Sequence, residues 1–186
     1  MTDTGAEDNR RKELNQKLIV ASGSGDHESV KRLIEDGAEI TSKTSNGNTG
    51  LHLSVCRGHE EVAITFLNHG IDVNISDTKW TPLMQAAHAG QMKMARLLLN
   101  HGANVNLRED GNGVTALIIA AKKNFPDLVH LFLENGADER IADNASLRAS
   151  QWAEKEGNYD VIKVFCEAWK KNGSSLHLEL LSAAKE

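Results

Sequence analysis

At 186 residues, with 40% hydrophobic and 25% charged residues and a formal net charge of -5, the chain has the make-up of an ordinary globular protein. The negative balance argues against nonspecific nucleic-acid binding, and no run approaches the roughly 18 apolar residues of a membrane helix, so neither nucleic acid nor membrane insertion is expected. Aromatic residues make up only 4%, which leaves Leu, Ala, Val and Ile to build the core.

Residues 1–11 are polar and charged without apolar periodicity, and are expected to be disordered. They contain no apolar segment of the kind a secretory signal needs. Cys56 and Cys166 lie far apart and have no partner at metal or redox spacing. Both read as reduced thiols, which places the chain in the cytoplasm or nucleus. The N-x-S/T matches at Asn74, Asn144 and Asn172 then carry no sugar.

From 12 to 171 the chain reads as one domain of helical pairs. Over 12–41, Leu14, Leu18 and Ile19 form one apolar face; Val30, Leu33 and Ile34 form another after Gly25. Lys12, Lys17, Lys31, Arg32 and Glu35 give this end unit a wettable outer side. Over 44–75, Asn46-Gly47-Asn48-Thr49 signals a turn before Leu51, and a second helix runs from Glu60 to Asn68. Over 77–107, Thr81-Pro82-Leu83 opens a helix, with Pro82 at the first turn where its missing N–H is no loss. The preceding turn is one residue short and carries Trp80. Over 108–141 the turn is one residue long, and the surplus reads as lying between Asn106 and Asp110. Over 143–169 the pattern is degraded: Arg148 stands for Thr, and Ser150 for the core Leu, as suits a last repeat with a half-exposed core. Residues 172–186 read as a tail in which Ser174 or Ser175 caps a short helix bearing Leu176, Leu180, Leu181 and Ala184, which either folds back on the open end of the stack or serves as a helical ligand for another protein.

The period ties these segments together. A glycine closes the second helix at Gly37, Gly70, Gly102 and Gly136, spaced by 33, 32 and 34 residues. The leucine opening the first helix recurs at Leu51, Leu83 and Leu117. A glycine after a helix lets the chain turn back through a left-handed residue. With the tetrad Thr49-Gly50-Leu51-His52, this period resembles the ankyrin repeat, a turn plus two antiparallel helices. The fold class implied is all-α: a solenoid of about five helix-turn-helix repeats with short hairpin turns. The resemblance also implies that Thr49 and His52 brace the turn against the helix. Gly50 stands for the family's Pro and is expected to weaken its helix start. Met84 and Ile118 replace the His in later repeats.

No constellation supports catalysis, a metal or a cofactor. His59-Glu60-Glu61-Val62-Ala63 begins like a zinc-protease helix but lacks the second His. Gly23-Ser24-Gly25 has no following Lys and no preceding strand. His69 and His101 precede helix-closing glycines and are expected to bond the carbonyls of their own helix ends.

The resemblance implies function by binding. In this family the turn tips and first helices line a concave groove where partner proteins sit. In register, the positions before the first-helix closing residue are Ser24, Arg57, His88 with Ala89, Lys122 with Lys123, and Lys155 with Glu156. This is either a solvated face or a basic stripe that steers an acidic partner segment. Trp80 either folds over its short turn or anchors a partner, with Lys79 beside it. Trp152 reads as end packing in preference to a partner contact. Asn74 and Asn106 occupy a turn position that this family exposes to hydroxylation. The alternative function is a structural or targeting piece whose C-terminal helix docks on a larger assembly.

Overall fold

The computed structural model describes residues 4–76 and 80–172. Among these residues are five consecutive helix pairs. They are α1 Thr4–Ser24 with α2 His27–Glu35, α3 Gly50–Arg57 with α4 Glu60–Asn68, α5 Pro82–Ala89 with α6 Met92–Asn100, α7 Ala116–Lys122 with α8 Pro126–Glu134, and α9 Ala149–Glu156 with α10 Tyr159–Asn172. The all-helical repeat architecture expected from the period is the one found. The chain divides into two units, one up to Asn104 and one from Val105. In the first, α1, α3 and α5 stack in order, each packs on the second helix of its own pair, and α2 packs on α4. In the second, α7 packs on α8 and α9, and α10 packs on both α9 and α8.

The repeat pattern has local causes. Thr49, Thr81 and Thr115 cap α3, α5 and α7, each hydroxyl accepting from the backbone N–H three residues on. Arg148 has no such oxygen; there Gln151 reaches back and accepts from the Arg148 N–H at 2.9 Å. Leu18, Leu51, Leu83 and Leu117 are buried at one register position. Gly37, Gly70, Gly102 and Gly136 all have positive φ, and a Cβ at any of them would meet nothing within 4 Å. The backbone angle alone accounts for these glycines.

The hairpin turns are built on one acceptor each. Thr44 Oγ1 accepts from the Asn48 N–H at 3.1 Å, and Asp143 Oδ1 accepts from Ala145 and Leu147 at 2.9 and 3.0 Å. In the fourth repeat Glu109 holds this position, its carboxylate accepting from the Asn112 N–H. The hairpin there closes from the Glu109 N–H to the Val114 carbonyl, one residue longer than Thr44 to Asn48 or Asp143 to Leu147. The surplus residue therefore lies after Glu109, not between Asn106 and Asp110. A glutamate in place of aspartate or threonine supplies the extra methylene that the wider turn requires.

Several expectations change with the structure in hand. Helix α1 starts at Thr4, inside the stretch expected to be disordered. The residues there lack an apolar face, but Ala6, Glu7, Arg10 and Arg11 are good helix formers and the segment continues a packed helix. The Ser150 position is buried, not half-exposed. Around it the fifth repeat builds its core from Ala149, Ala153, Val161, Phe165 and Trp169, all buried. Trp169 stacks on Phe165 with ring centroids 5.9 Å apart. It sits where other second helices end, so α10 runs on to Asn172. The tail from 173 on lies outside the described residues, as do residues 77–79.

Ser146 has φ 62 at the turn position where Gly47 and Gly113 have φ 79 and 70. A side chain in this region carries a penalty of about 1 kcal/mol that glycine avoids. Ser146→Gly is expected to raise stability by roughly that amount, read as a higher midpoint in urea. A lower midpoint would mean that Ser146 contributes more than its strain.

Candidate functional site

In the first unit the site begins at a buried histidine. His52 is fully buried on α3. Its Nδ1 lies 3.3 Å from the Thr49 N–H and 2.9 Å from Thr49 Oγ1, and its Nε2 lies 3.2 Å from the Trp80 carbonyl oxygen. A carbonyl only accepts, so Nε2 carries the proton and Nδ1 accepts from Thr49. The neutral ring therefore closes its own turn and reaches the next repeat. It fixes the backbone at Trp80 immediately before the Thr81 cap. From there the Trp80 ring lies against His88 on α5, centroids 4.8 Å apart and planes tilted by 52°. Gln85, also on α5, donates from Nε2 to Asn48 Oδ1 at 3.1 Å and ties this helix to the preceding turn.

Two residues read as partner contacts from sequence thus meet: Trp80, half-buried, and His88, exposed. Arg57 is exposed but engaged, its guanidinium donating to the Gly23 carbonyl at the end of α1. Lys79 lies outside the described residues.

In the second unit, Lys122 and Lys123 are exposed at the end of α7. The Lys122 ammonium sits 3.9 Å from the centroid of the Trp152 ring, and the Lys155 ammonium 4.6 Å from it. The Trp152 indole N–H donates to Asp143 Oδ2 at 2.8 Å, the carboxylate that also closes the hairpin. Trp152 is therefore more than end packing, because it is the surface on which the lysines rest. Its link to Lys122 spans thirty positions and has no local sequence signal.

A second feature is missing from the sequence reading. The residue after the first-helix closing position reaches back to the previous repeat. His59 Nε2 lies 3.2 Å from the Gly23 carbonyl, and Asn158 Nδ2 donates to the Ala121 and Lys122 carbonyls at 2.8 and 3.2 Å. These groups bind carbonyls at the ends of first helices in the preceding repeat. The zinc-protease-like start at His59 is thus a stacking contact.

Asn74 Oδ1 accepts from the Asn104 N–H at 2.8 Å. Asn106 Oδ1 accepts from the Asp138 N–H at 2.8 Å, and its Nδ2 donates to the Gly136 carbonyl at 3.0 Å. Both amides join neighbouring repeats. His69 and His101 place Nδ1 at 2.7 and 2.9 Å from the carbonyls of Thr65 and Leu97 in their own helices, as expected. Burial pushes the Glu139 carboxyl above the usual carboxylate range, partly countered by a hydrogen bond from the Trp169 indole. Among the described residues no three His, Cys, Asp or Glu side chains gather as a metal site, and no helix is long and apolar enough to cross a membrane.

Family models described as ankyrin repeats match residues 18–109 and 98–147. The chain is 30% identical over 140 residues to an ankyrin repeat-containing protein of Treponema pallidum (strain Nichols), covering 74% of this chain and 47% of the relative. It is 34% identical over 160 residues to the ankyrin repeat and KH domain-containing protein mask-1 of Caenorhabditis elegans, covering 84% and 6%. It is 30% identical over 121 residues to the E3 ubiquitin-protein ligase XBAT32 of Arabidopsis thaliana, covering 63% and 24%. The chain spans less than half the length of each of these relatives.

Proposed function

The chain belongs to the ankyrin repeat family, and from that premise we propose that it acts as an adaptor or regulatory subunit, binding another protein in the cytoplasm or nucleus. Two surfaces make the contact, one in each unit. In the first, Trp80 and His88 form the apolar anchor, and Arg57 and Lys79, the latter next to Trp80 in sequence, add positive charge. In the second, Lys122 and Lys123 receive acidic side chains of the partner. The partner segment is acidic and partly apolar. The chain carries out no catalysis of its own and requires no cofactor.

The observation that carries this reading is the Trp80–His88 pair. A tryptophan at a turn has little core to fill. Here its backbone is anchored by His52 and its ring is held against an exposed histidine. An aromatic group restrained before binding loses little conformational freedom on contact, which is why such residues dominate interface energetics. The lysines act differently. Exposed charges steer encounter and respond to salt.

The test uses a partner captured from native lysate and binding kinetics at two ionic strengths. Trp80→Ala is expected to speed dissociation, weakening binding by roughly 2 kcal/mol with little salt effect. Lys122→Glu with Lys123→Glu is expected to slow association, more at low salt than at high. Wild-type binding in both variants would overturn the assignment of these surfaces.

A further inference from the structure

We propose that Trp152 is the organising residue of an anion-recognition site in the second unit, where Lys122 and Lys155 rest on its ring and together take carboxylate side chains of an acidic peptide segment. The inference rests on the protein-binding reading above and adds to it a specific site and a residue that positions it.

Three observations converge. First, both ammonium groups lie over one indole, at 3.9 and 4.6 Å from its centroid. Cation–π attraction of this kind is individually modest, but it restricts two otherwise freely rotating lysines. Second, the ring is itself fixed. Its N–H is bound to Asp143, and that carboxylate is buried and held by two backbone N–H groups of the hairpin. Electron density drawn toward the indole by a carboxylate at its N–H strengthens the attraction of the ring for cations. Third, among the described residues no carboxylate forms a salt bridge with either ammonium. Two like charges gathered on one ring repel, and an anion bridging them relieves that repulsion.

The chemistry of the ligand follows from the geometry. Two ammonium groups over one ring present positive charge to a ligand, which suits carboxylates. A net charge of -5 disfavours a polyanionic nucleic acid, whose phosphates would meet the rest of the surface. A short acidic peptide segment brings local negative charge without that long-range penalty. Trp152 is a positioning residue here: it acts through the lysines and holds them ready.

The experiment titrates the full chain with a fluorescently labelled glutamate-rich peptide, the same peptide with glutamine in place of glutamate, and oligouridylate RNA. Wild type is expected to bind the glutamate peptide with clear salt dependence and to bind the glutamine peptide negligibly. Trp152→Leu keeps both charges and loses the platform, and is expected to weaken binding on the order of tenfold by releasing the two lysines. Trp152→Phe keeps a ring but loses the N–H bond to Asp143, and is expected to fall between wild type and Trp152→Leu. Lys122→Gln with Lys155→Gln, an exchange of exposed groups, is expected to abolish binding and its salt dependence; should Trp152→Leu fail to fold, this pair and Trp152→Phe carry the test. Wild-type affinity in Trp152→Leu or in the double lysine variant, or tighter binding of the RNA than of the glutamate peptide, overturns the proposal. Such a failure leaves the Trp80 result with captured partner unaffected, so the two readings fall separately.

Discussion

Gly50→Pro destabilises the protein by about 3 kcal/mol, although it restores the residue most typical of its family at that position. The expectation comes from the space around Gly50. A Cβ there would lie 2.2 Å from the tip of the Phe66 ring and 2.6 Å from the Ser22 hydroxyl. Both neighbours are fully buried, so neither moves without displacing others. The chain carries its own controls at the same register. Pro82 in the third repeat is matched by Leu98, whereas Ala116 and Ala149 are matched by Phe132 and Phe165. Phenylalanine on the second helix thus goes with a small residue on the first, and leucine goes with proline. Gly50→Pro with Phe66→Leu reproduces the pair of the third repeat. In the Phe66→Leu background the penalty of proline is expected to fall by at least about 1 kcal/mol, a coupling typical of residues in contact. Urea denaturation of the two single variants and the double one completes the cycle. Strict additivity would show that the ring at Phe66 is not what excludes the proline. The sequence alone suggests the opposite reading, that glycine simply weakens this helix start. It is instead the residue that lets Phe66 fill the core.

His52→Leu is the second large effect. Leucine is close in size, so the loss is mainly of hydrogen bonds. The Thr49 N–H loses its buried partner, which costs about 1–3 kcal/mol, and the bond that ties α3 to the Trp80 carbonyl is lost with it. A total of about 3 kcal/mol is expected, read from equilibrium unfolding. The variant also separates stability from function. Under conditions where it remains folded, Trp80 loses the bond that fixes its backbone, and partner dissociation should quicken as in Trp80→Ala. A variant that is destabilised but dissociates like wild type would confine His52 to a structural role.

The parts of this molecule legible in its sequence are those set by local rules. A left-handed residue after a helix calls for glycine, a capping position calls for threonine, and a buried first-turn position calls for leucine. Each leaves a mark at one place, and repetition at about 33 residues makes the marks add up. Contacts between repeats leave no such mark. Trp80 stands out as an exposed-looking tryptophan, but its placement beside His88 depends on a bond from His52 in another repeat. Trp152 looks like end packing because Lys122 is far from it along the chain. Glu109 is a further case. It lies six residues after Ala103, as Thr44 lies six after Ala38 and Asp143 six after Ala137. Aligning those alanines, and not the glycines of the turn, locates the added residue correctly. The helix before residue 12 escaped for another reason: it has no apolar stripe to announce it, and most of its formers are charged.

The hydrogen bonds that join one repeat to the next have a short reach. Those from Gln85 to Asn48 and from Asn158 to Ala121 span 37 positions, and the others described here span fewer. Bringing such partners together closes only small loops, so the entropic barrier to each step is low and assembly is fast. The same property matters on the ribosome. A repeat has its bonding partners available once about 40 further residues have emerged, long before synthesis ends. Its carbonyls and apolar faces are then covered in the order in which they are made, and little of the chain waits uncovered in a crowded cell.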